Sequence, residues 1–212
     1  MTHPNGDAIA ATRVFLMRHG ECEGGHIFRG STDVALNAEG WQTLRSAAAA
    51  VPAVTTVYTS PMQRCRQFAE QFAGEQAAEL IVERDLREMH FGIWEGRLID
   101  DVAREQPGAY AAWKTDPSKG EPPEAERLSQ LVERTGRALD AIVAARPGQT
   151  SLAVCHGGVM RVLLCRVLGM PLADAGRIYI PYGCVTELAL FDGTWGFNLQ
   201  LIRHNFAAMP VV

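Results

Sequence analysis

The chain has no run of about 18 apolar residues, the length a helix needs to cross a bilayer, so no membrane-spanning segment is expected. Met1 to Arg13 lacks a basic stretch followed by an apolar one and does not read as a secretory signal. The five cysteines (Cys22, Cys65, Cys155, Cys165 and Cys184) include no C-x-x-C pair, which argues against a zinc cluster. Their odd number indicates no disulfide framework, and the expected compartment is the cytoplasm. An excess of either charge is also lacking. A net −4 over 212 residues excludes a nucleic-acid binder that works through overall charge. What is plentiful is core material: 47% hydrophobic and 21% charged residues is the balance of an ordinary globular protein and excludes a disordered chain. An acidic protein of this kind that handled an anionic substrate would need a local cluster of cations.

The length suits one domain. Residues 1–12 are small and polar and read as a flexible N-terminal tail, leaving 13–212 as a single domain. Three short apolar runs, Val14 to Met17, Val54 to Thr59 and Leu152 to Cys155, read as strands buried on both faces. Asn37 is placed to cap a helix ending near Ala50, and Ser60-Pro61 to start one ending near Phe72. Glu79 to Val82 reads as an edge strand, residues 83–97 as irregular, and short helices are expected near 98–106 and 109–115. Leu128, Leu131, Val132, Leu139, Ile142 and Val143 follow the 3.6-residue period of an amphipathic helix closed by Arg146-Pro147-Gly148. A further helix runs from Gly157 to Gly169, and Asp192-Gly193 between two apolar runs signals a C-terminal hairpin. Strands alternating with helices predict an α/β fold with a mostly parallel sheet, in which ligands gather beyond the carboxyl ends of the strands.

The residues at those ends carry chemistry. Arg18-His19-Gly20-Glu21 follows the first strand, Ser60-Pro61-Met62-Gln63-Arg64 the second, and His156-Gly157-Gly158 the third. Arginine forks match phosphate oxygens. Glycines beside each histidine let backbone approach a ligand, and a helix start turns free N–H groups toward an anion. A neutral histidine is a competent nucleophile, a second can stabilise charge as it develops, and Glu88 in the irregular loop can serve as acid and then as base. None of these parts needs a metal. Singly each has a plainer reading: a satisfied structural histidine, a surface ion pair for Arg18, a solvated helix face for Arg64, an exposed acid for Glu88. Their joint placement at strand ends argues against those readings.

Leu16-Met17-Arg18-His19-Gly20-Glu21 resembles the first motif of the histidine phosphatase superfamily in its phosphoglycerate-mutase-like branch. Ser60-Pro61-Met62-Gln63-Arg64, Leu86-Arg87-Glu88 through Glu95-Gly96, and Val154-Cys155-His156-Gly157-Gly158 are similar to the later motifs, in the same order. The resemblance implies a three-layer α/β/α sandwich and no metal or other cofactor. It implies that His19 becomes phosphorylated, that Glu88 donates and then takes a proton, and that His156 completes the catalytic set. The phosphate-binding set it implies is Arg18, Arg64 and His156; the residues themselves add the backbones of Gly157, at a helix start, and Gly25 as expected phosphate-binding positions.

Two positions depart from the family pattern, which usually has threonine at 22 and asparagine at 25 where this chain has Cys22 and Gly25. Gly25 removes one donor; a backbone N–H of Glu23 to His26, or the His26 ring, is the expected replacement. Phe28 to Leu36 is similar to the corresponding segment of α-ribazole phosphatases, and the spacing from Glu88 to His156 is shorter than mutases of the branch tend to have. The expected function is therefore hydrolysis of a small phosphomonoester such as α-ribazole 5′-phosphate or a sugar phosphate. The alternatives are a phosphoglycerate-type mutase and a non-catalytic phospho-ligand binding module. No nucleic-acid or membrane partner is expected, and the C-terminal strands offer an edge for a homodimer.

Overall fold

A computed structural model describes residues 11–191 and 199–206. Six strands form one sheet in the order β3-β2-β4-β1-β5-β6: β1 (Ala11–Arg18), β2 (Thr56–Thr59), β3 (Glu79–Val82), β4 (Thr150–Cys155), β5 (Val185–Phe191) and β6 (Gln200–His204). The β1–β4, β4–β2 and β2–β3 pairings are parallel, whereas β5 runs antiparallel to both β1 and β6. Among the described residues there are six α-helices, α1 (Ala38–Ala48), α2 (Gln63–Gln76), α3 (Ile99–Glu105), α4 (Pro107–Thr115), α5 (Leu128–Ala145) and α6 (Gly157–Leu168); α1 and α2 pack on one face of the sheet and α5 and α6 on the other.

The continuous apolar runs make the layers. Along β1, Val14 and Leu16 point into a core shared with α5 and α6, while Phe15 and Met17 point into a core shared with α1 and α2. The expected three-layer α/β/α sandwich is therefore the observed fold. A third, smaller cluster of Phe28, Trp94 and Val102, with Tyr110 and Trp113 partly buried against it, lies under the segment that carries α3 and α4.

Several boundaries differ from the local reading. β1 begins at Ala11, two residues inside the span read as tail; residues 1–10 and the Asp192-Gly193 turn lie outside the described residues. Ser60-Pro61 does not open α2, which starts at Gln63 and runs on to Gln76. The reason is long-range. Asp33 Oδ1 accepts from Gln63 N at 2.8 Å and so supplies the cap from another loop, while Ser60 Oγ accepts from Met62 N at 3.3 Å, one residue ahead of the helix, and from His156 Nε2. A 3₁₀ segment at Leu172–Arg177 was not expected. Among the described residues, no helix is long and apolar enough to cross a membrane.

Candidate active site

β1 and β4 lie side by side in parallel, with Arg18 opposite Cys155, so the residues that follow them, His19 and His156, emerge together. Their rings meet edge to face with centroids 5.2 Å apart. His19 is 4% exposed and His156 fully buried. His19 Nδ1 lies 2.7 Å from the Gly20 carbonyl, a contact that only an N–H can make. The proton therefore sits on Nδ1, and Nε2 keeps its lone pair. Gly20 is required for that geometry, because a Cβ there would lie 2.2 Å from the Gly40 carbonyl oxygen at the start of α1. Desolvation first, then the charges of Arg64 and Arg18, hold His19 well below the ordinary histidine value. Desolvation first, then the charge of Arg64, the neighbouring His19 and the charges of Arg18 and Arg134, hold His156 down as well. Both rings are neutral at physiological pH.

Arg64 is fully buried, so it is not part of a solvated helix face. Its Nε donates to His156 Nδ1 at 3.3 Å, Nη1 to Thr32 O at 3.0 Å, and Nη2 to Arg29 O at 3.2 Å and Gly30 O at 2.8 Å. Those bonds occupy four of the five guanidinium N–H groups and leave one on Nη1. Because His156 Nδ1 accepts from Arg64, the ring proton is on Nε2, which donates to Ser60 Oγ at 2.7 Å. Arg18 stacks 4.2 Å above the Tyr182 ring and donates from Nη1 to Ile180 O at 2.7 Å. Its Nε is buried without a hydrogen-bond partner, and burial lowers its pKa. A buried cationic N–H with no protein acceptor, next to a neutral histidine, suits a phosphoryl oxygen as its acceptor.

Glu88 reaches the same place from the loop after β3. Its Oε2 accepts from Gly158 N at 3.0 Å, in the first turn of α6, and its Oε1 from Met89 N at 3.1 Å. A Cβ on Gly158 would lie 2.4 Å from Glu88 Oε1, so this glycine makes room for the carboxyl. Gly157 stands beside Arg18: its Cβ would lie 3.3 Å from Arg18 Nε. Gly25 lies on an exposed turn at φ +70°, and its carbonyl accepts from Arg29 Nη2 at 2.7 Å.

Arg29 is the residue that sequence reasoning missed. It is 8% exposed, donates only to the carbonyls of Glu23 and Gly25, and has a buried, unpartnered Nε. Its charge also contributes to lowering His19. Where the family pattern has an asparagine at 25, this chain brings a guanidinium to the same turn, and His26 is exposed. His90 is exposed too and accepts from Gly92 N, away from the two histidines. Trp94 is fully buried and donates to Gln106 at 2.9 Å, a packing role. Among the described residues, no group of three histidine, cysteine or acidic side chains is arranged to hold a metal.

Comparison with known proteins is consistent with this geometry. The family model of the histidine phosphatase superfamily (branch 1) matches residues 14–202. The chain belongs to the histidine phosphatase superfamily. A probable phosphoglycerate mutase of Serratia proteamaculans (strain 568) is 32% identical over 170 residues, covering 78% of this chain and 79% of that one. The adenosylcobalamin/alpha-ribazole phosphatase of Salmonella typhimurium (strain LT2) is 29% identical over 186 residues, 85% of this chain and 92% of that one. In structure, this histidine phosphatase resembles the alpha-ribazole phosphatase from Shigella flexneri with a TM-score of 0.78 at 25% identity, covering 94% and 99% of the two chains. The enzyme class expected from the motifs, a phosphatase of a small phosphorylated metabolite, agrees with these relatives.

Proposed function

We propose that the protein hydrolyses a small phosphomonoester in two steps through a phosphohistidine at His19. The observation that carries this reading is the state of His19: a buried, neutral ring with its proton fixed on Nδ1 by Gly20, and a cation to either side with an unpartnered Nε. In the first step the Nε2 lone pair attacks phosphorus in line and the ester P–O bond breaks. The leaving oxygen takes the proton of the Glu88 carboxyl. In the second step water attacks phosphorus, Glu88 as carboxylate takes its proton, and the P–N bond breaks, returning neutral His19 and inorganic phosphate.

The transition state spreads charge over the non-bridging oxygens, so the fixed cations do most of the work. Arg18 offers Nε, Arg64 its remaining Nη1 proton, and Arg29 a third positive charge. His156 donates by exchanging the Ser60 hydroxyl for a phosphoryl oxygen. The Gly25 and Gly157 backbones complete the cradle. No step calls for a metal or other cofactor.

The substrate class is a small monoester, with α-ribazole 5′-phosphate and sugar phosphates first in line. The likeness to a relative named a probable phosphoglycerate mutase gives the second reading, phosphoryl transfer between positions of one substrate. Release of inorganic phosphate from an aryl phosphate tests the first, followed by a panel of α-ribazole 5′-phosphate, sugar phosphates and phosphoglycerates. Isomerisation of phosphoglycerate with a bisphosphate primer and no net phosphate release would favour the second. Binding of phosphate without either outcome would leave a binding module. The same reading puts the enzyme in the cytoplasm, as one domain that takes in β1 from Ala11, and as a homodimer through the β6 edge, which sedimentation at two concentrations tests.

A further inference from the structure

Glu88 sits on a loop between β3 and α3 that has 3₁₀ turns but no regular strand or helix, yet an acid must hold its position to a fraction of an ångström. The carboxyl end is steadied by α6 through Gly158. The backbone end is held by a residue from a different layer of contacts. Arg134 lies on the buried face of α5, 3% exposed, where the helix period calls for an apolar side chain. Its Nη1 donates to Asp85 O at 2.7 Å and Arg87 O at 2.6 Å, and its Nη2 to Glu88 O at 3.1 Å. Its Nε and Nη2 also form a two-pronged pair with Glu126, at 2.6 and 2.8 Å. All five guanidinium protons are thereby used, three of them on carbonyls of the acid loop. Glu126 closes the loop from the other side, since its own N–H donates to His90 O at 2.9 Å.

A buried ion pair is poor evidence for stability, because desolvation offsets much of its attraction. A buried fork that spends three donors on one loop is better explained by what it fixes. We infer that Arg134, held by Glu126, is a positioning residue that sets the Glu88 carboxyl against the leaving oxygen of the substrate. The inference rests on the reading of Glu88 as the acid. It goes beyond that reading by giving the fixed aim of Glu88 to a side chain that touches neither substrate nor phosphate.

The test exploits the fact that a general acid matters only when the leaving group needs a proton. Alcohol release in the first turnover is measured for 4-nitrophenyl phosphate, whose leaving group departs unaided, and for an alkyl phosphate, whose leaving group does not. Glu88→Gln is the control: it should lose about 10²–10⁴ on the alkyl ester and far less on the nitrophenyl ester. Arg134→Met should lose at least about ten-fold more on the alkyl ester than on the nitrophenyl ester, an intermediate share of the same effect. It should still form labelled phosphoenzyme from the nitrophenyl ester. Arg134→Lys, which keeps the charge but not the fork, and Glu126→Gln, which keeps the size of the partner, should show smaller losses of the same kind. They also provide the reading if the methionine variant fails to fold. If Glu88→Gln lowers both esters equally, the acid assignment itself falls. If Glu88→Gln discriminates and the folded Arg134 and Glu126 variants lower both esters equally, or neither, Arg134 is structural and the inference is overturned.

Discussion

The two histidines give a prediction that can be worked from the structure before any substrate is known. Both are buried and held neutral by desolvation and by the arginines around them, with Arg64, Arg18 and Arg29 facing His19, and Arg64 and Arg18 facing His156. In the unfolded chain each returns to a pKa of about 6.5. A lowered native pKa means that, below pH 6.5, the unfolded chain binds protons that the native protein does not. Stability from this source is therefore intact above about pH 6.5 and falls as the pH drops. Between pH 7.5 and 5.5 a histidine that stays neutral in the native protein costs at most about 1.4 kcal/mol, and the pair at most about 2.7 kcal/mol. For a domain of this size that is roughly 5–11 °C in Tm. The perturbation is the double variant His19→Gln/His156→Gln, which removes both titrations while leaving every surface carboxylate in place. Thermal or urea melts of the two proteins from pH 7.5 to 5.5, in a buffer free of phosphate, should diverge by up to that amount, with the wild type losing more. Parallel curves would refute the reasoning: the histidines would then be charged or hydrated in the native protein, and His19 would not be a ready nucleophile.

Other expectations follow from single contacts. Arg29→Met should weaken inhibition by inorganic phosphate about ten-fold, since it removes a buried cation from beside His19; unchanged inhibition would return Arg29 to a purely structural role. Glu95 accepts from the N–H groups of Ser31, Thr32 and Phe91 and from Thr32 Oγ1. Desolvation raises its carboxyl, but these bonds outweigh it and leave the pKa lowered. Glu95→Ala should cost about 2 kcal/mol in denaturant melts and lower turnover as well, because the 29–32 backbone that it ties down is what holds Arg64; full activity would break that link. Cys22 and Cys155 are 2% and 0% exposed, and burial raises both thiols, so the native enzyme should resist a bulky thiol reagent that labels it in urea. Rapid labelling with loss of activity would show that the cleft opens.

What was legible in the sequence was what local physics determines. The apolar period of Leu128 to Val143 predicts α5, and the buried runs predict β1, β2 and β4 with their ends side by side. Once the strands are parallel, His19, Arg18, His156 and Arg64 meet, so the juxtaposition of the candidate residues follows from their places at the strand ends. What was not legible depends on partners far along the chain. The cap of α2 comes from Asp33, not from Ser60 next door. Arg29 and Arg134 bond chiefly to backbone carbonyls, which leave no trace in residue identity. Arg134 did leave one signal: it falls between Leu131 and Ala138 on the apolar stripe of α5, where a charge needs a reason. For Arg29 the only hint was its place in the Phe28 to Leu36 segment.

A two-step hydrolysis requires a covalent phosphoryl group on His19, which rapid quench of the enzyme with ³²P-labelled aryl phosphate traps. Base-stable, acid-labile label should appear on one peptide containing His19, persist in Glu88→Gln and be absent from His19→Gln. Turnover with no label in the wild type, or undiminished label in His19→Gln, would contradict it.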